Sequence, residues 1–206
     1  MSYGPEAFQA DTGASDQAMA DLGRFRELLI EANAVMNLVG PSTLADFWIR
    51  HALDSAQLLK LAPTARTWAD LGAGAGFPGV VLAILLKDRA GAHVHLIDSL
   101  GKRCRFLEQA VTELALPATV VNGRAEDQRL KVEVVTARAV APLDRLLDYA
   151  QGYLDRGARG LFLKGRKAEA ELAEARRRRR ISAQLIPSAT DPESRIVSIE
   201  SARLVR

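Results

Sequence analysis

Residues 67–81 read Thr67-Trp-Ala-Asp-Leu-Gly-Ala-Gly-Ala-Gly-Phe-Pro-Gly-Val-Val81. A short apolar run leads to Asp70, four glycines follow, and an apolar segment with helical spacing comes next. This order predicts a strand, a glycine turn and a helix. Glycine has no Cβ, so the turn can adopt positive φ and its backbone can approach a ligand closely. The helix that follows begins with free N–H groups and the positive end of its dipole. The stretch therefore predicts a site for a polar or nucleotide-like ligand at the carboxyl end of a strand.

Two glycine patterns overlap in this turn, so the kind of ligand stays open at this point. Residues 74–79 fit the dinucleotide fingerprint Gly-x-Gly-x-x-Gly, which alone is a weak signal. Residues 70–76 instead resemble the first motif of Rossmann-like S-adenosylmethionine methyltransferases, Asp-x-Gly-x-Gly-x-Gly. Both kinds of site need an acidic residue after the second strand to hold ribose hydroxyls. Asp98 lies 22 residues after Gly76 and serves either interpretation, while a glycine turn without a ligand is the third.

Length and composition describe an ordinary globular protein with a basic surface. The chain has 206 residues, of which 48% are hydrophobic and 26% charged, enough for one domain with a full core. The net charge is +3 and the isoelectric point is near 9.2, which favours polyanionic partners. A single cysteine excludes a disulfide framework, and no apolar run is long enough to span a bilayer. No signal peptide is evident, so we expect a cytoplasmic protein.

The order of the remaining segments predicts helices first and an α/β core second. We expect one domain over residues 1–206, with a flexible tail at 1–15, N-terminal helices at 16–62 and a Rossmann-like core at 63–206. Apolar spacing predicts helices at 16–39, 44–61, 78–87, 101–114, 143–154 and 168–179. Strands are predicted at 67–71, 93–98, 118–122, 132–136, 160–164, 181–186 and 195–199. Because the last two strands have no helix between them, they predict a hairpin at the end of a mainly parallel sheet.

Several strings, taken together and in order, resemble one family, the bacterial 16S ribosomal RNA methyltransferase G family, also called glucose-inhibited division protein B. They cover most of Asn37 to Gly165 and comprise Asn37-Leu38, Arg50-His-Ala-Leu-Asp-Ser55, Asp70-Leu-Gly-Ala-Gly-Ala-Gly-Phe-Pro-Gly79, Asp98-Ser-Leu-Gly-Lys-Arg-Cys-Arg-Phe-Leu107, Gly123-Arg-Ala-Glu126, Thr136-Ala-Arg-Ala139 and Leu163-Lys-Gly165. The resemblance implies the class I S-adenosylmethionine methyltransferase fold. Its sheet is parallel with a C-terminal antiparallel hairpin, and N-terminal helices extend it.

The resemblance also implies an activity, a cofactor and a set of site residues. The activity is transfer of a methyl group from S-adenosylmethionine to N7 of a guanine in 16S ribosomal RNA. We expect the enzyme to act as a monomer on 16S RNA within a small-subunit ribosomal particle. The cofactor-binding residues carried over from the family are Gly72, Gly74, Phe77, Asp98, Ala125, Glu126 and Arg138. Gly72 would approach the methionine part, Asp98 would accept from the ribose, and the 125–126 pair would contact adenine. No catalytic side chain and no metal ligand is expected.

Each of these residues has a structural alternative. Asp98 could cap the next helix, and Glu126 could lie in a solvated loop. A buried Arg138 needs a partner, for which Asp54 and Asp144 are the candidates. His51, Asp54 and Ser55 share one helical turn and so cannot form a catalytic triad; we expect Asp54 or Ser55 to anchor the glycine turn. Cys104 lies among basic residues that would lower its pKa, and the run 176–180 is expected to be a solvated helix end.

Two further functions compete with methyl transfer. A nicotinamide-dependent oxidoreductase would use the overlapping glycine fingerprint, but Tyr149 and Tyr153 lack a lysine at a fitting spacing. A non-catalytic RNA-binding factor would keep the fold without the chemistry. RNA contacts are expected near the carboxyl edge of the sheet, from Lys102, Arg103, Arg105, Lys164 and Arg166.

Overall fold

In the computed structural model, which describes residues 3–205, seven strands form one sheet. They are β1 (Thr67–Leu71), β2 (His93–Asp98), β3 (Ala118–Asn122), β4 (Val134–Arg138), β5 (Arg159–Lys164), β6 (Arg179–Pro187) and β7 (Arg195–Leu204). Their order across the sheet is β3-β2-β1-β4-β5-β7-β6. Strands β1 to β5 are parallel, whereas β7 runs antiparallel to β5 and to β6. The predicted parallel sheet with a C-terminal hairpin is confirmed.

The position of the site follows from this order. From β1 the chain proceeds outward through β2 to β3, then returns to the other side of β1 to form β4. In open α/β sheets the ligand crevice lies outside the carboxyl ends of the strands where the order reverses. Here that point lies between β1 and β4, which pair from Trp68↔Val134 to Asp70↔Thr136. The topology therefore brings the glycine turn beside the residues that follow β4.

Helices cover both faces of the sheet. They are α1 (Pro5–Thr12), α2 (Asp16–Met36), α3 (Pro41–Ala45), α4 (Asp54–Leu61), α5 (Gly79–Leu85), α6 (Gly101–Glu113), α7 (Leu143–Asp155) and α8 (Ala168–Ala175), with a π-helical segment Phe47–Leu53 and a 3₁₀ turn Ala125–Asp127. Side chains alternate between faces along a strand. Trp68 accordingly joins the core under the N-terminal helices, and Leu71 joins the core under α7 and α8. In residues 3–205, no helix has both the length and the apolarity to cross a membrane.

The amino terminus corrects the expectation of a flexible tail. Within residues 3–15, Pro5–Thr12 forms a helix whose Phe8 is fully buried and packs against Trp48, with ring centroids 5.5 Å apart. Proline is suited to the first turn of a helix, where its missing N–H is not needed. One large apolar side chain therefore attaches this short helix to the protein, although residues 1–15 show no repeating apolar pattern.

Two predicted helices have different bounds for physical reasons. The helix expected at 44–61 is divided into α3, the π-helical segment and α4. The helix expected at 168–179 ends at Ala175, and Arg176, Arg177 and Arg178 are exposed in the turn after it, so only the end of the run 176–180 departs from the predicted solvated helix end. Arg179 instead begins β6 and is buried, where it pairs with Asp148 and Gln151 of α7. An ion pair across elements thus overrides the local charge pattern.

Candidate active site

The glycine turn after β1 has the backbone that its sequence predicts. Gly72, Gly74 and Gly76 have φ of 68°, 54° and 91°, a left-handed region that other residues rarely adopt. A Cβ on Gly72 would lie 2.7 Å from Val140 Cγ2, so the loop after β4 approaches the turn closely. Glycine is therefore required at position 72 by both conformation and space.

Asp98 ends β2 and is buried next to the glycine turn. Its Oδ2 accepts from the Gly74 N–H at 3.0 Å, and its Oδ1 accepts from the Leu100 N–H at 2.8 Å. Arg103 Nη1 lies 3.6 Å from Oδ2. Asp98 thus bonds the residue before α6 and not an N–H of the first turn of this helix, and its carboxylate lies against the glycine turn.

Two adjoining cavities open at this edge of the sheet. The larger has a volume of ≈ 950 Å³ and the smaller ≈ 470 Å³, and both are lined by Gly72, Arg103, Ala139 and Val140. All seven predicted site residues line one or both: the larger cavity takes Gly72, Gly74, Phe77 and Arg138, and the smaller takes Gly72, Asp98, Ala125 and Glu126. The structure therefore brings the sequence-predicted set together.

The smaller cavity is closed by the 3₁₀ turn after β3 and by one face of α7. Glu126 Oε1 accepts from Arg124 Nε at 2.9 Å, and 34% of the Glu126 side chain is exposed. The segment is therefore an ordered turn on the cavity wall rather than a fully solvated loop. Tyr149 of α7 also lines this cavity. This position could not be predicted from the sequence, because a tyrosine on an amphipathic helix gives no signal of its own.

Arg138, at the end of β4, is held from three sides in the larger cavity. Its Nη1 donates to the Arg50 carbonyl at 2.9 Å and lies 3.3 Å from Asp54 Oδ2, while its Nη2 donates to His51 Nδ1 at 2.9 Å. The guanidinium also stands 4.7 Å from the centre of the Phe77 ring, a cation–π distance. Asp54 is therefore its carboxylate partner, and Asp144 is excluded because it pairs with Arg178.

His51 lies in the site beside Phe77 and Arg138, a position that its sequence context does not predict. Its ring stacks on Phe77 with centroids 4.5 Å apart and planes 15° apart, and its Nε2 lies 3.1 Å from Thr43 Oγ1. Since Nδ1 accepts from Arg138, the proton of the neutral ring resides on Nε2. Burial, together with the charges of Arg138 and Arg50, lowers the pKa of His51 to about 3. His51 is therefore a neutral acceptor that orients Arg138.

The expected anchoring of the glycine turn by Asp54 or Ser55 is wrong. Ser55 Oγ donates to the His51 carbonyl at 2.6 Å. Asp54 Oδ1 accepts from Gln57 Nε2 at 2.9 Å and from Thr190 Oγ1 at 3.0 Å, so it ties α4 to the loop between β6 and β7. Burial raises the pKa of Asp54, and the charge of Arg138 opposes this.

The residue that anchors the glycine turn is Asp70. Its Oδ2 accepts from the Gly79 N–H at 2.8 Å, while its buried Oδ1 has no hydrogen-bond partner among residues 3–205. Burial raises the pKa of Asp70 to about 7, against the lowering effect of the Gly79 N–H and of Arg138. Burying a charged carboxylate with one unpaired oxygen is unfavourable, so Asp70 changes its charge near neutral pH.

Lys164, expected to contact RNA, is instead part of the cavity framework. Its side chain is only 9% exposed and its Nζ lies 2.7 Å from Glu171 Oε2 and 2.6 Å from the Ala141 carbonyl. Glu171 Oε2 also accepts from the Leu143 N–H at 2.8 Å. The pair thereby holds the loop after β4, in which Ala139 has a φ of 55°.

Cys104 and the histidines of β2 do not add chemistry to the site. Burial raises the pKa of the Cys104 thiol, contrary to the expected lowering, and its Sγ donates to the Asp98 carbonyl. His93 Nε2 lies 2.9 Å from Thr119 Oγ1. Among residues 3–205, no group of three or more histidine, cysteine, aspartate or glutamate side chains could hold a metal ion.

Sheet order, glycine turn and terminal hairpin define the fold of the class I S-adenosylmethionine-dependent methyltransferases. An S-adenosylmethionine-dependent methyltransferase from Aquifex aeolicus superposes with a TM-score of 0.57 at 16% identity, over 82% of this chain and 98% of that chain. Magnesium protoporphyrin IX methyltransferase from Synechocystis PCC 6803 gives a TM-score of 0.58 at 16% identity, over 91% and 99%. At these identities the likeness establishes the fold alone.

Sequence comparison establishes the family. The model described as rRNA small subunit methyltransferase G matches residues 18–197. The ribosomal RNA small subunit methyltransferase G of Caulobacter vibrioides strain NA1000 is 57% identical over 212 residues, covering 100% of this chain and 98% of the relative. The protein of the same name from Caulobacter sp. strain K31 is 59% identical over 200 residues, covering 97% and 90%. The chain therefore belongs to the rRNA small subunit methyltransferase G family, as its sequence strings indicate.

Proposed function

We propose that the chain transfers a methyl group from S-adenosylmethionine to N7 of a guanine in 16S ribosomal RNA. Family and fold support a methyltransferase of small-subunit ribosomal RNA with this donor. The observation that carries the proposal is the pair of adjoining cavities, one with the buried Asp98 carboxylate and the other with Arg138, whose side chain is 18% exposed. Two adjoining cavities suit a reaction in which a bound donor and a target base must meet.

The residues of the smaller cavity fit the adenosine part of the donor. Each oxygen of Asp98 accepts one backbone N–H and keeps a second lone pair, so the carboxylate can still accept from ribose hydroxyls. The turn at Ala125 and Glu126 offers backbone groups and a side-chain acceptor to adenine. Gly72 and Gly74 line the larger cavity, where the methionine part would lie, and Arg138 is the cation that would attract its carboxylate.

Chemistry at guanine N7 asks little of the protein beyond positioning. The donor supplies an electrophilic methyl group, and N7 carries an in-plane lone pair and no proton. The imidazole and the carboxylates that line the larger cavity are engaged: His51 Nδ1 accepts from Arg138, Asp54 pairs with Arg138, Glu171 pairs with Lys164, and Asp191 accepts from the Glu193 N–H. We infer a reaction without a general base, in which alignment can supply about 7–11 kcal/mol of the barrier.

The RNA face is proposed to surround the mouth of the larger cavity. Lys102, Arg105 and Arg166 are exposed and lie at the carboxyl edge of the sheet, in the first turn of α6 and after β5. Arg50 is also exposed and lines the larger cavity. These cations would bind phosphates and leave the base to enter the cavity unstacked. We place the enzyme in the cytoplasm, acting as a monomer on a small-subunit particle.

The proposal is tested by labelled methyl transfer to naked 16S RNA, assembled small subunits and transfer RNA, followed by mapping of the modified base. The matched control is 16S RNA transcribed with 7-deazaguanosine, in which a C–H group replaces N7. We expect label in a guanine of ordinary 16S RNA and none in the 7-deaza transcript. Equal labelling of both transcripts would contradict N7 as the acceptor.

Calorimetry separates the proposal from the two competing functions. We expect S-adenosylmethionine to bind and NAD not to bind. Tight binding of NAD alone would support an oxidoreductase. Binding of RNA without binding of either cofactor would support a factor that has lost the chemistry.

A further inference from the structure

The loop between β3 and β4 forms one wall of the smaller cavity but has little structure of its own. It contains only the 3₁₀ turn Ala125–Asp127, and Glu126 and Asp127 are exposed. Within residues 3–205, the hydrogen bonds that reach the backbone of residues 124–131 from side chains outside it all come from α7 and from Arg156, the residue that follows it. The position of this wall therefore depends on α7.

Two residues of α7 and its end provide these bonds. The Tyr153 hydroxyl donates to the Ala125 carbonyl at 3.1 Å. Arg156 Nε donates to the Leu130 carbonyl at 3.0 Å, and its Nη2 donates to the Gln128 carbonyl at 3.2 Å. The Arg156 guanidinium lies 5.4 Å from the centre of the Tyr153 ring. With Tyr149, these residues are spaced by four and three and so share one face of the helix.

The bond from Tyr153 fixes the peptide that joins Ala125 to Glu126. The Ala125 carbonyl accepts both from Tyr153 and from the Gln128 N–H, the latter at 3.3 Å. A trans peptide is planar, with its N–H opposite its carbonyl. Holding the carbonyl toward α7 therefore turns the Glu126 N–H away from α7 and fixes where the Glu126 side chain begins.

We propose that Tyr153 is a positioning residue for the methyl donor: its hydroxyl sets the orientation of the Ala125–Glu126 peptide and hence the wall against which the adenine ring lies. The inference rests on the proposed function, because it assigns the smaller cavity to adenosine. Tyr153 is 1% exposed and does not line either cavity, so it acts through the turn and not by contact. Burial raises the pKa of Tyr153 to about 12, so the hydroxyl keeps its proton as a donor at neutral pH.

The test is Tyr153→Phe, which keeps the buried ring and removes only the hydroxyl. Affinity is measured by calorimetry for S-adenosylhomocysteine and for 5′-methylthioadenosine, which lacks the amino-acid part. We expect both to bind more weakly by the same factor, roughly 3- to 10-fold, the scale of one neutral hydrogen bond. The single-turnover rate at saturating donor and RNA should be unchanged. Tyr3→Phe is the matched control, because it also removes one tyrosine hydroxyl. The Tyr3 hydroxyl donates to Asp11, and Tyr3 lines neither cavity.

Arg156→Met gives an independent measurement, since it releases the Gln128 and Leu130 carbonyls and leaves the Tyr153 hydroxyl in place. We expect the same direction of change for both ligands. If Tyr153→Phe lowers the melting temperature but binds both ligands as tightly as the wild type, the inference is overturned and the hydroxyl serves stability alone. If the wild type itself fails to bind S-adenosylhomocysteine, the proposed function is overturned, and the inference about Tyr153 with it. Failure of the inference alone therefore differs from failure of the proposed function in the behaviour of the wild type.

Discussion

Single carboxylates at the ends of neighbouring strands have different roles because their surroundings differ. Asp98 has both oxygens paired with backbone N–H groups, whereas Asp70 has one oxygen without a partner among residues 3–205. Burial with one oxygen unpaired favours the neutral form of Asp70. Asp98 is suited to hold a ligand's hydroxyls, and Asp70 makes the glycine turn sensitive to pH.

Replacing Asp98 with alanine should weaken binding of S-adenosylmethionine by about 1.5–3 kcal/mol, the scale of a hydrogen bond to a charged group. Affinity for RNA measured without the donor should change little, because the side chain is buried. Calorimetry measures both. Asp88→Ala, at an exposed position, is the control. Normal donor binding by Asp98→Ala would show that the ribose lies elsewhere.

Replacing Asp70 with asparagine should change how stability depends on pH. The folded-state pKa of Asp70 is about 7, above its usual value of 3.8, so the folded protein binds this proton more tightly than the unfolded chain does. Stability from this group is therefore fully present below about pH 4 and is lost as the pH rises through 7. The loss can reach about 4 kcal/mol. Asparagine cannot titrate, so we expect the variant to lack this part of the decline.

Urea unfolding of both proteins between pH 4 and pH 8.5 provides the measurement. The free energy of unfolding of the wild type should fall relative to that of Asp70→Asn as the pH rises. A constant difference across the range would mean that the Asp70 carboxyl keeps an ordinary pKa in the folded protein.

At the scale of elements, the loop after β4 is shaped by contacts from outside it. Ala139 has a φ of 55°, which is unfavourable for a residue with a Cβ. The Lys164–Glu171 pair joins β5 to α8 and holds the Ala141 carbonyl and the Leu143 N–H. Strained backbone persists where the surroundings hold it in place. This loop also carries Val140, which packs against the glycine turn.

Replacing either member of this pair should therefore affect the reaction as well as stability. Lys164→Met leaves Glu171 without its charge partner, and removing one partner of a largely buried pair commonly costs about 3–5 kcal/mol. We expect Lys164→Met to lower the single-turnover rate and to leave the salt dependence of RNA binding unchanged, because Lys164 is not exposed. A lowered salt slope with a normal rate would contradict this structural role and indicate that Lys164 contacts RNA.

The sequence predicted the elements better than the contacts between them. The glycine turn was predictable because only glycine tolerates its backbone, and Asp98 because strand ends meet at one edge of a parallel sheet. His51 was not, since its pairing with Arg138 joins residues 87 apart in sequence, and a π-helical segment changes which side chains share a face. Lys164 and Arg179 were misjudged for the same reason: a basic residue carries no local sign that a distant carboxylate buries it.

At the scale of the whole molecule, charge should direct RNA to one edge of the sheet. Lys102, Arg105 and Arg166 lie at the carboxyl edge, whereas Arg176 precedes β6, which begins at the opposite edge, where Arg179 pairs with Leu204. Removing one phosphate contact should lower the log–log salt slope of RNA binding by about 0.7–0.9. We expect this for Arg105→Ala or Arg166→Ala and not for Arg176→Ala. The reverse result would place the RNA face at the other edge.

The whole arrangement also predicts how the rate of methyl transfer depends on pH. Of the groups in the larger cavity, His51 has a pKa of about 3 and is neutral throughout the working range. Arg138 stays charged because an arginine cannot lose its proton under these conditions. We therefore expect the single-turnover rate, with both substrates saturating, to vary little between about pH 6 and pH 9, since no side chain needs to accept a proton from guanine.

Three variants separate this mechanism from one with a general base. Arg138→Ala should lower the rate severely at every pH without adding a new step to the profile, because its role is to orient charge. His51→Gln keeps a neutral acceptor near Arg138 and should retain much of the rate. Asp70→Asn removes a group beside the site whose pKa is about 7. Asp70 lies behind the glycine turn and lines neither cavity, so a pH step that this variant abolishes would reflect movement of the turn. A rise in rate near pH 7 that persists in Asp70→Asn and disappears in His51→Gln would refute the mechanism without a base, because it would require the imidazole to take up a proton during transfer.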